Sequence, residues 1–284
     1  MTQAREALDA NFLLLKDTVF GLNDKGEDTT RAVVKELLAV KFISSVMAAI
    51  GDISFENRKH FKDIVNCVLH KDTGVEHMLQ NIELVYRMID AVLEEQSQTA
   101  LLYLDMIKTC CQREPLAKKI LASDRLPAVF KAVEQGDFAV SASAFLVVRE
   151  LLVTFPALLV QQASEEAAGA QLVQLVSHLV TVGSGSQKKK TLEAVGQMLE
   201  AAPELVPRFA ASVAFAKALE SSVLAKGKVA ETAAPLLKLT LESEAVTDEV
   251  RHVYGQPPAT KDMLIEVLTE LKLDALPEMI RRCE

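Results

Sequence analysis

Apolar residues recur at three- and four-residue intervals along almost the whole chain, the spacing that lines up one face of an α-helix. Leu8, Phe12, Leu15 and Val19 form a first stripe that ends at Gly21, before a loop over Asn23, Asp24, Lys25 and Gly26. Asp28 or Thr29 is placed to cap a helix carrying Val33, Leu37, Leu38 and Val40. Ile43, Val46, Met47 and Ile50 predict a short helix closed by Gly51, and Ser54 caps the next, with Phe55, Phe61, Ile64, Val65, Val68 and Leu69. Two more stripes follow: Leu79, Ile82, Val85 and Ile89, then Leu101, Leu104, Ile107 and Cys111. No alternating strand pattern of useful length interrupts them.

The punctuation is clearest between Cys110 and Pro156. A helix ends at Gln112-Arg113, and Pro115 sits where its missing N–H costs nothing, in the first turn of a helix that buries Leu116, Ile120 and Leu121. At Gln135-Gly136-Asp137, Gly136 can take the left-handed conformation that closes a helix and Asp137 can cap its successor. That helix is expected to place Phe138, Ala142, Phe145, Val148 and Leu152 on one stripe and to stop at Phe155-Pro156. Later stripes carry Leu172, Leu175, Val176 and Leu179; Leu192, Val195, Met198 and Leu199; Phe215, Leu219 and Val223; and Val229, Ala233, Leu236, Leu237 and Leu241. Pro257-Pro258 breaks the chain before a last stripe at Met263, Leu264, Val267, Leu268 and Leu271.

Short amphipathic helices in groups of roughly 40 residues cannot each hide an apolar face alone; they need neighbours of the same kind. The prediction is an all-α, armadillo/HEAT-like right-handed helical-repeat solenoid of about six repeats, one domain over residues 1–284 with incomplete terminal repeats. A compact helical bundle is the competing architecture, but bundles use longer helices and no fixed period. A stacked array offers a long groove lined by one helix from each repeat, so its expected work is binding along that groove.

Composition agrees. Half of the 284 residues are hydrophobic but only 5% are aromatic and none is Trp, the usage of thin repeated helical cores. A formal charge of −8 argues against non-specific nucleic-acid binding. The four cysteines, Cys67, Cys110, Cys111 and Cys283, show no metal-binding spacing and read as small apolar residues in a reducing compartment. The first residues carry neither a signal sequence nor a lipidation motif, and no apolar run reaches the ~20 residues of a membrane span. A cytoplasmic monomer is expected, without membrane contact.

Candidate chemistry is sparse. Gly183-Ser184-Gly185-Ser186-Gln187-Lys188 lacks the Gly-Lys-Ser/Thr ending of a phosphate loop, since Gln187 intervenes. Asn23 to Asp28 is acidic but lacks the alternate oxygen spacing of a calcium loop. The five His are scattered, and no Ser or Cys stands in a nucleophile setting. No enzyme, no cofactor and no metal are expected. Lys188, Lys189 and Lys190 form the only three-residue basic run; at a helix start they oppose the helix dipole. They are read either as a solvated turn or as contacts for an acidic partner. Phe138, just after its cap, points either into the core or to the groove edge.

Several segments resemble the mouse protein-25 family, also called the calcium-binding protein 39 family. They are Arg113-Glu114-Pro115-Leu116-Ala117-Lys118-Lys119-Ile120-Leu121, Asp137 to Phe145, Phe55-Glu56-Asn57-Arg58-Lys59 running on to Leu69, and Lys188-Lys189-Lys190-Thr191-Leu192 with Gly196 and Leu199. The order and spacing match from about Leu8 onward. The resemblance implies an armadillo-like scaffold without catalytic activity. It would hold a Ste20-type kinase or pseudokinase on its concave face and favour its active conformation; fungal relatives serve nuclear-Dbf2-related kinases in polarity and cell separation.

By the same resemblance, the family's concave Phe falls on Phe138 and its basic-helix Arg on Lys189, flanked by Lys188 and Lys190. Its Tyr falls on Gly185 and a further Arg near Ala202, so those two contacts are lost. The family's pocket for a C-terminal Trp-x-Phe tail peptide implies Leu219 as an apolar wall residue. The pocket's lysine lies on a helix that is shortened here around Val246 to Tyr254. The alternative function is a structural adaptor of the cytoskeleton or division apparatus without a kinase.

Overall fold

A computed structural model describes residues 2–21, 26–94, 97–273 and 275–283. Among them are nineteen α-helices, one 3-10 turn and no strand. The chain divides into two compact units, Met1–Glu150 and Leu151–Glu284.

In the first unit every third helix stacks on its counterpart. Thr2–Val19 packs on Phe55–Leu69, which packs on Ser97–Cys111. The intervening helices form a second row, in which Gly26–Ala39 meets Asp72–Gln80 and that helix meets Glu114–Leu121. In a third row Glu83–Ala91 meets Leu126–Gln135. The period also shows in side chains that reach one repeat onward. Arg58 Nη1 donates to Thr99 Oγ1 at 2.9 Å, Asn66 Nδ2 to Asp105 Oδ2 at 3.0 Å and Arg113 Nη2 to Asp72 Oδ1 at 2.7 Å. Those partners stand 41, 39 and 41 residues apart.

The second unit repeats the arrangement. Glu166–Val182 packs on Val213–Leu224, which packs on Pro258–Glu270, while Gly185–Ala201 packs on Gly227–Leu241. Three-helix repeats stacked row on row make this an all-α, armadillo-like fold.

The local rules place most helix ends. Ser54 Oγ accepts from Asn57 N, and Thr247 Oγ1 accepts from Val250 N. Prolines stand in the first turn at Pro115, Pro127, Pro156, Pro207 and Pro258. Gly21, at φ 70°, closes the first helix in the left-handed region.

Other expectations are corrected. Thr29 does not cap a helix, because Gly26–Ala39 has begun before it; residues 22–25 of the preceding acidic loop lie outside the described residues. Leu79 and Ile82 do not share a helix, for the chain breaks at Asn81, whose Nδ2 donates back to His77 O. Val40 is 64% exposed rather than core, since its helix ends at Ala39 and releases it. Gly136 is extended, φ −66° and ψ 156°, not left-handed. It is glycine for room: a Cβ there would stand 2.7 Å from both Ala132 O and Val140 Cγ1.

Candidate partner-binding surface

Phe138 opens the helix Phe138–Val153 and is 93% exposed. Asp137 sets that start: its Oδ1 accepts from Ala139 N and Val140 N, both at 2.9 Å. The Ser97 hydroxyl, then these backbone donors, hold the Asp137 carboxyl below the usual carboxylate range. The expected stripe splits. Phe145, Val148 and Leu152 are buried, with Val140, Ala144 and Val147 beside them, while Phe138 and Ala142 face solvent. One turn on from Ala142, Leu146 is 45% exposed. Phe138, Ala142 and Leu146, spaced by four, thus form an apolar strip on the outer face of a helix whose other face is core.

Of the alternatives for Phe138, the core is therefore excluded. Its position lies at the margin of the buried arc, and the first turn has no preceding residues to pack beneath it. Removing a free-standing Phe ring from water is worth ~1.5–3 kcal/mol. An exposed ring of this kind costs nothing in the fold and gains whenever something covers it.

In the second unit, Lys188, Lys189 and Lys190 occupy the first two turns of Gly185–Ala201. The turn before them is ordered by a capping box in which Ser184 Oγ accepts from Gln187 N and Gln187 Oε1 accepts from Ser184 N at 2.9 Å. Thr191, Leu192, Ala194 and Val195 take the buried face. Lys188 and Lys189 lie half-buried along its edge, and Lys190 is exposed. Lys189 Nζ reaches Glu193 Oε1 at 3.3 Å, so one of the three charges has an internal counter-ion. Both side chains are more than a third exposed, and such a pair contributes only ~0–1 kcal/mol. Gly185 has open space around it, and Ala202 is buried, so neither offers a side chain to a partner.

Leu219 is the residue that the resemblance implies as a pocket wall. It is fully buried in the core of Val213–Leu224 and presents no surface. Beside that helix, and facing Asp248–Gly255, a cleft of about 500 Å³ is lined by Val213, Lys217, Asp248, Glu249, His252 and Val253. Val213 and Lys217 are spaced by four, one turn apart on the outer face. The alternation of exposed Lys217 with buried Ala216, Ala218 and Leu219 was the available signal for them.

Motif residues elsewhere act within the fold. Asn57 is fully buried and donates to Asp9 Oδ1 at 2.6 Å. Arg58, besides Thr99, ties Ile53 O and Gly51 O. Lys59 lies 4.6 Å from the Phe55 ring centroid and pairs with Glu56. Burial pushes the Cys110 thiol up to about 12 and the Cys111 thiol well above its ordinary value, which removes both as nucleophiles near neutrality.

Stacked three-helix repeats define an armadillo-like repeat protein. Residues 1–203 match the Mo25-like family, and the chain belongs to that family. It is similar to calcium-binding protein 39-like of Mus musculus, 30% identical over 158 residues, and to that of Homo sapiens, 29% identical over the same length. Each match covers 53% of this chain and 46% of the relative, so the chain aligns with less than half the length of these relatives. Among solved structures, the crystal structure of an engineered protein is 12% identical, with a TM-score of 0.48 over 80% of this chain and 96% of that one.

Proposed function

We propose that the chain is a non-catalytic scaffold that docks a protein kinase or pseudokinase, of Ste20 or nuclear-Dbf2-related type, and favours its active conformation. The observation that carries the reading is Phe138, an aromatic ring 93% exposed beside Ala142 and Leu146 on a helix whose opposite face is core. Aromatic side chains standing clear of a rigid element are the residues on which interface energy concentrates. Family membership supplies the kind of role, and the half-buried Lys188 and Lys189 supply cations for an acidic partner surface.

The mechanism is a population shift. A scaffold that binds only the active arrangement raises its occupancy by the ratio of its affinities for the two states, and each tenfold preference amounts to ~1.4 kcal/mol. The scaffold needs no catalytic group for this, only a surface that stays rigid while the kinase moves.

A second contact, to a C-terminal tail peptide of the partner complex, belongs in the cleft beside Val213–Leu224. Val213 and Val253 offer apolar walls there, and Lys217 a cation for a terminal carboxylate. Asp248 and Glu249 opposite disfavour an all-acidic tail.

The test is affinity purification with the double variant Phe138→Ala, Lys189→Glu. Loss of kinase capture with unchanged helicity and melting temperature supports the reading; undiminished capture removes kinase docking from these residues. Wild-type purifications that yield cytoskeletal or division proteins and no kinase would select a structural adaptor instead.

A further inference from the structure

A second cleft, of about 590 Å³, opens in the second unit between the first turns of Glu166–Val182 and the segment joining Val206–Ala210 to Val213–Leu224. Its walls are small: Gly169, Ala170, Ala211 and Ala214. A single cation, Arg208, enters it. The guanidinium lies across Gly169, with Nη1 at 2.7 Å and Cζ at 3.0 Å from the point a Cβ there would occupy. Any other residue at 169 has to displace the arginine.

Arg208 is half-buried, yet among the described residues it forms no hydrogen bond or ion pair, not even with Glu166 at the rim of the same cleft. A guanidinium partly removed from water normally recovers its lost hydration through a carboxylate or carbonyl. Here the side chain lines the cleft beside the helix backbone at Gly169. The volume falls within the ~300–1,000 Å³ of sites that take small groups or side chains.

We propose that this cleft takes an acidic side chain of an extended partner polypeptide, with Arg208 pairing the carboxylate through two parallel N–H donors. One cation in a chain of formal charge −8 cannot neutralise the runs of phosphates that nucleic acid presents. It suits a lone carboxylate. With only methyl groups at 170, 211 and 214, a peptide main chain can lie close to that wall, and Val173 offers an apolar contact to the residue beside the acid. The ligand is therefore an acidic residue flanked by small apolar ones. The cleft belongs to the helix row of Glu166–Val182 and Val213–Leu224, not to the row that carries Lys188 to Lys190, so it does not depend on the kinase reading.

The experiment is fluorescence anisotropy of the full chain with a fluorescein-labelled hexapeptide of alternating Glu and Ala. Saturable binding is expected, weakened about tenfold or more by Arg208→Gln and by Gly169→Val, and less by Arg208→Lys, which keeps the charge but loses the fork. Lys189→Glu should leave it unchanged, as should circular dichroism of Arg208→Gln. The Gln-for-Glu peptide should not bind. Equal affinity of the wild type and Arg208→Gln overturns the proposal, as does absence of saturable binding by the wild type. Full displacement of the peptide by equimolar inorganic phosphate also overturns it, because the cleft would then be a simple anion site.

Discussion

The carbonyl oxygen of Val68 occupies the space that a Cβ on Gly74 would need. Val68 belongs to the last turn of Phe55–Leu69, and Gly74 to the first turn of Asp72–Gln80. Two helices joined by His70 and Lys71 can turn this sharply only if one of them lacks a side chain at the crossing. The corner in turn sets the direction in which the second row of helices leaves the first.

Gly74→Ala should therefore destabilise the chain although alanine is the better helix former. A methyl group forced onto backbone has no flexible neighbour to move, and overpacking of this kind costs ~1–3 kcal/mol. Gly185→Ala is the matched control: nothing lies near its added methyl, and removing a helical glycine stabilises by up to ~1 kcal/mol. Thermal melts of the two variants should move in opposite directions. A lower melting temperature for both would show that glycine flexibility, not space, decides.

Leu219 and Lys217 separate core from surface on one helix. Leu219→Ala removes a fully buried side chain and should cost ~2–5 kcal/mol in denaturant unfolding. Lys217→Glu, exposed at the cleft rim, should leave stability within ~0.5 kcal/mol while abolishing capture of a tail peptide. Should Leu219→Ala prove neutral in stability and selective for the tail, the side chain would face the cleft after all.

The Asp137 cap carries a pH dependence. The carboxyl is held below its ordinary range in the folded state by Ser97 and by the Val140 and Ala139 N–H groups. The stability it contributes is thus complete above the unfolded-state value near ~4 and is lost as pH falls through the lower folded value. The stability gap between wild type and Asp137→Ala should be constant from neutrality down to about pH 5 and close below about pH 4. Asp137→Asn, which caps without a charge, should show no such closing. A gap that is flat through the acid range would mean the cap works without ionisation.

How much of this was legible beforehand varies with the kind of residue. The helical class and the grouping into repeats of roughly 40 residues follow from apolar spacing, and Ser54, Pro115 and Asp137 fix helix starts by chemistry local to each turn. That resolution fails where two elements approach. Nothing within the sequence of Gly136 separates a left-handed turn from an extended glycine that makes room for Val140. Periodicity also overreaches at stripe margins. Val40 falls beyond its helix, and Phe138 and Ala142 rotate out of the arc that buries Phe145 and Val148. Site residues suffer most: Leu219 fits an apolar position by resemblance, but whether an apolar residue faces core or cleft depends on its neighbour helix. Arg208 and Gly169, 39 positions apart, meet only once the repeats stack.

The thiols give a last, cheap reading of that stacking. Burial raises all four: Cys110 to about 12, Cys111 well above its usual value, and Cys67 and Cys283 more modestly. Cys67 is half-buried, whereas the other three are closed to solvent. Disulfide exchange needs an exposed thiolate, so a thiol reagent at pH 8 should modify Cys67 first and slowly, and leave Cys110 and Cys111 untouched until the first unit opens. In denaturant all four should react together. Because Cys110 and Cys111 belong to the helix row that Phe55–Leu69 and Ser97–Cys111 share, their protection should fall in step with the melting of that row. Gly74→Ala ought to accelerate their labelling more than Phe138→Ala does. Fast labelling of Cys110 in the native wild type would mean that this row is not closed in solution.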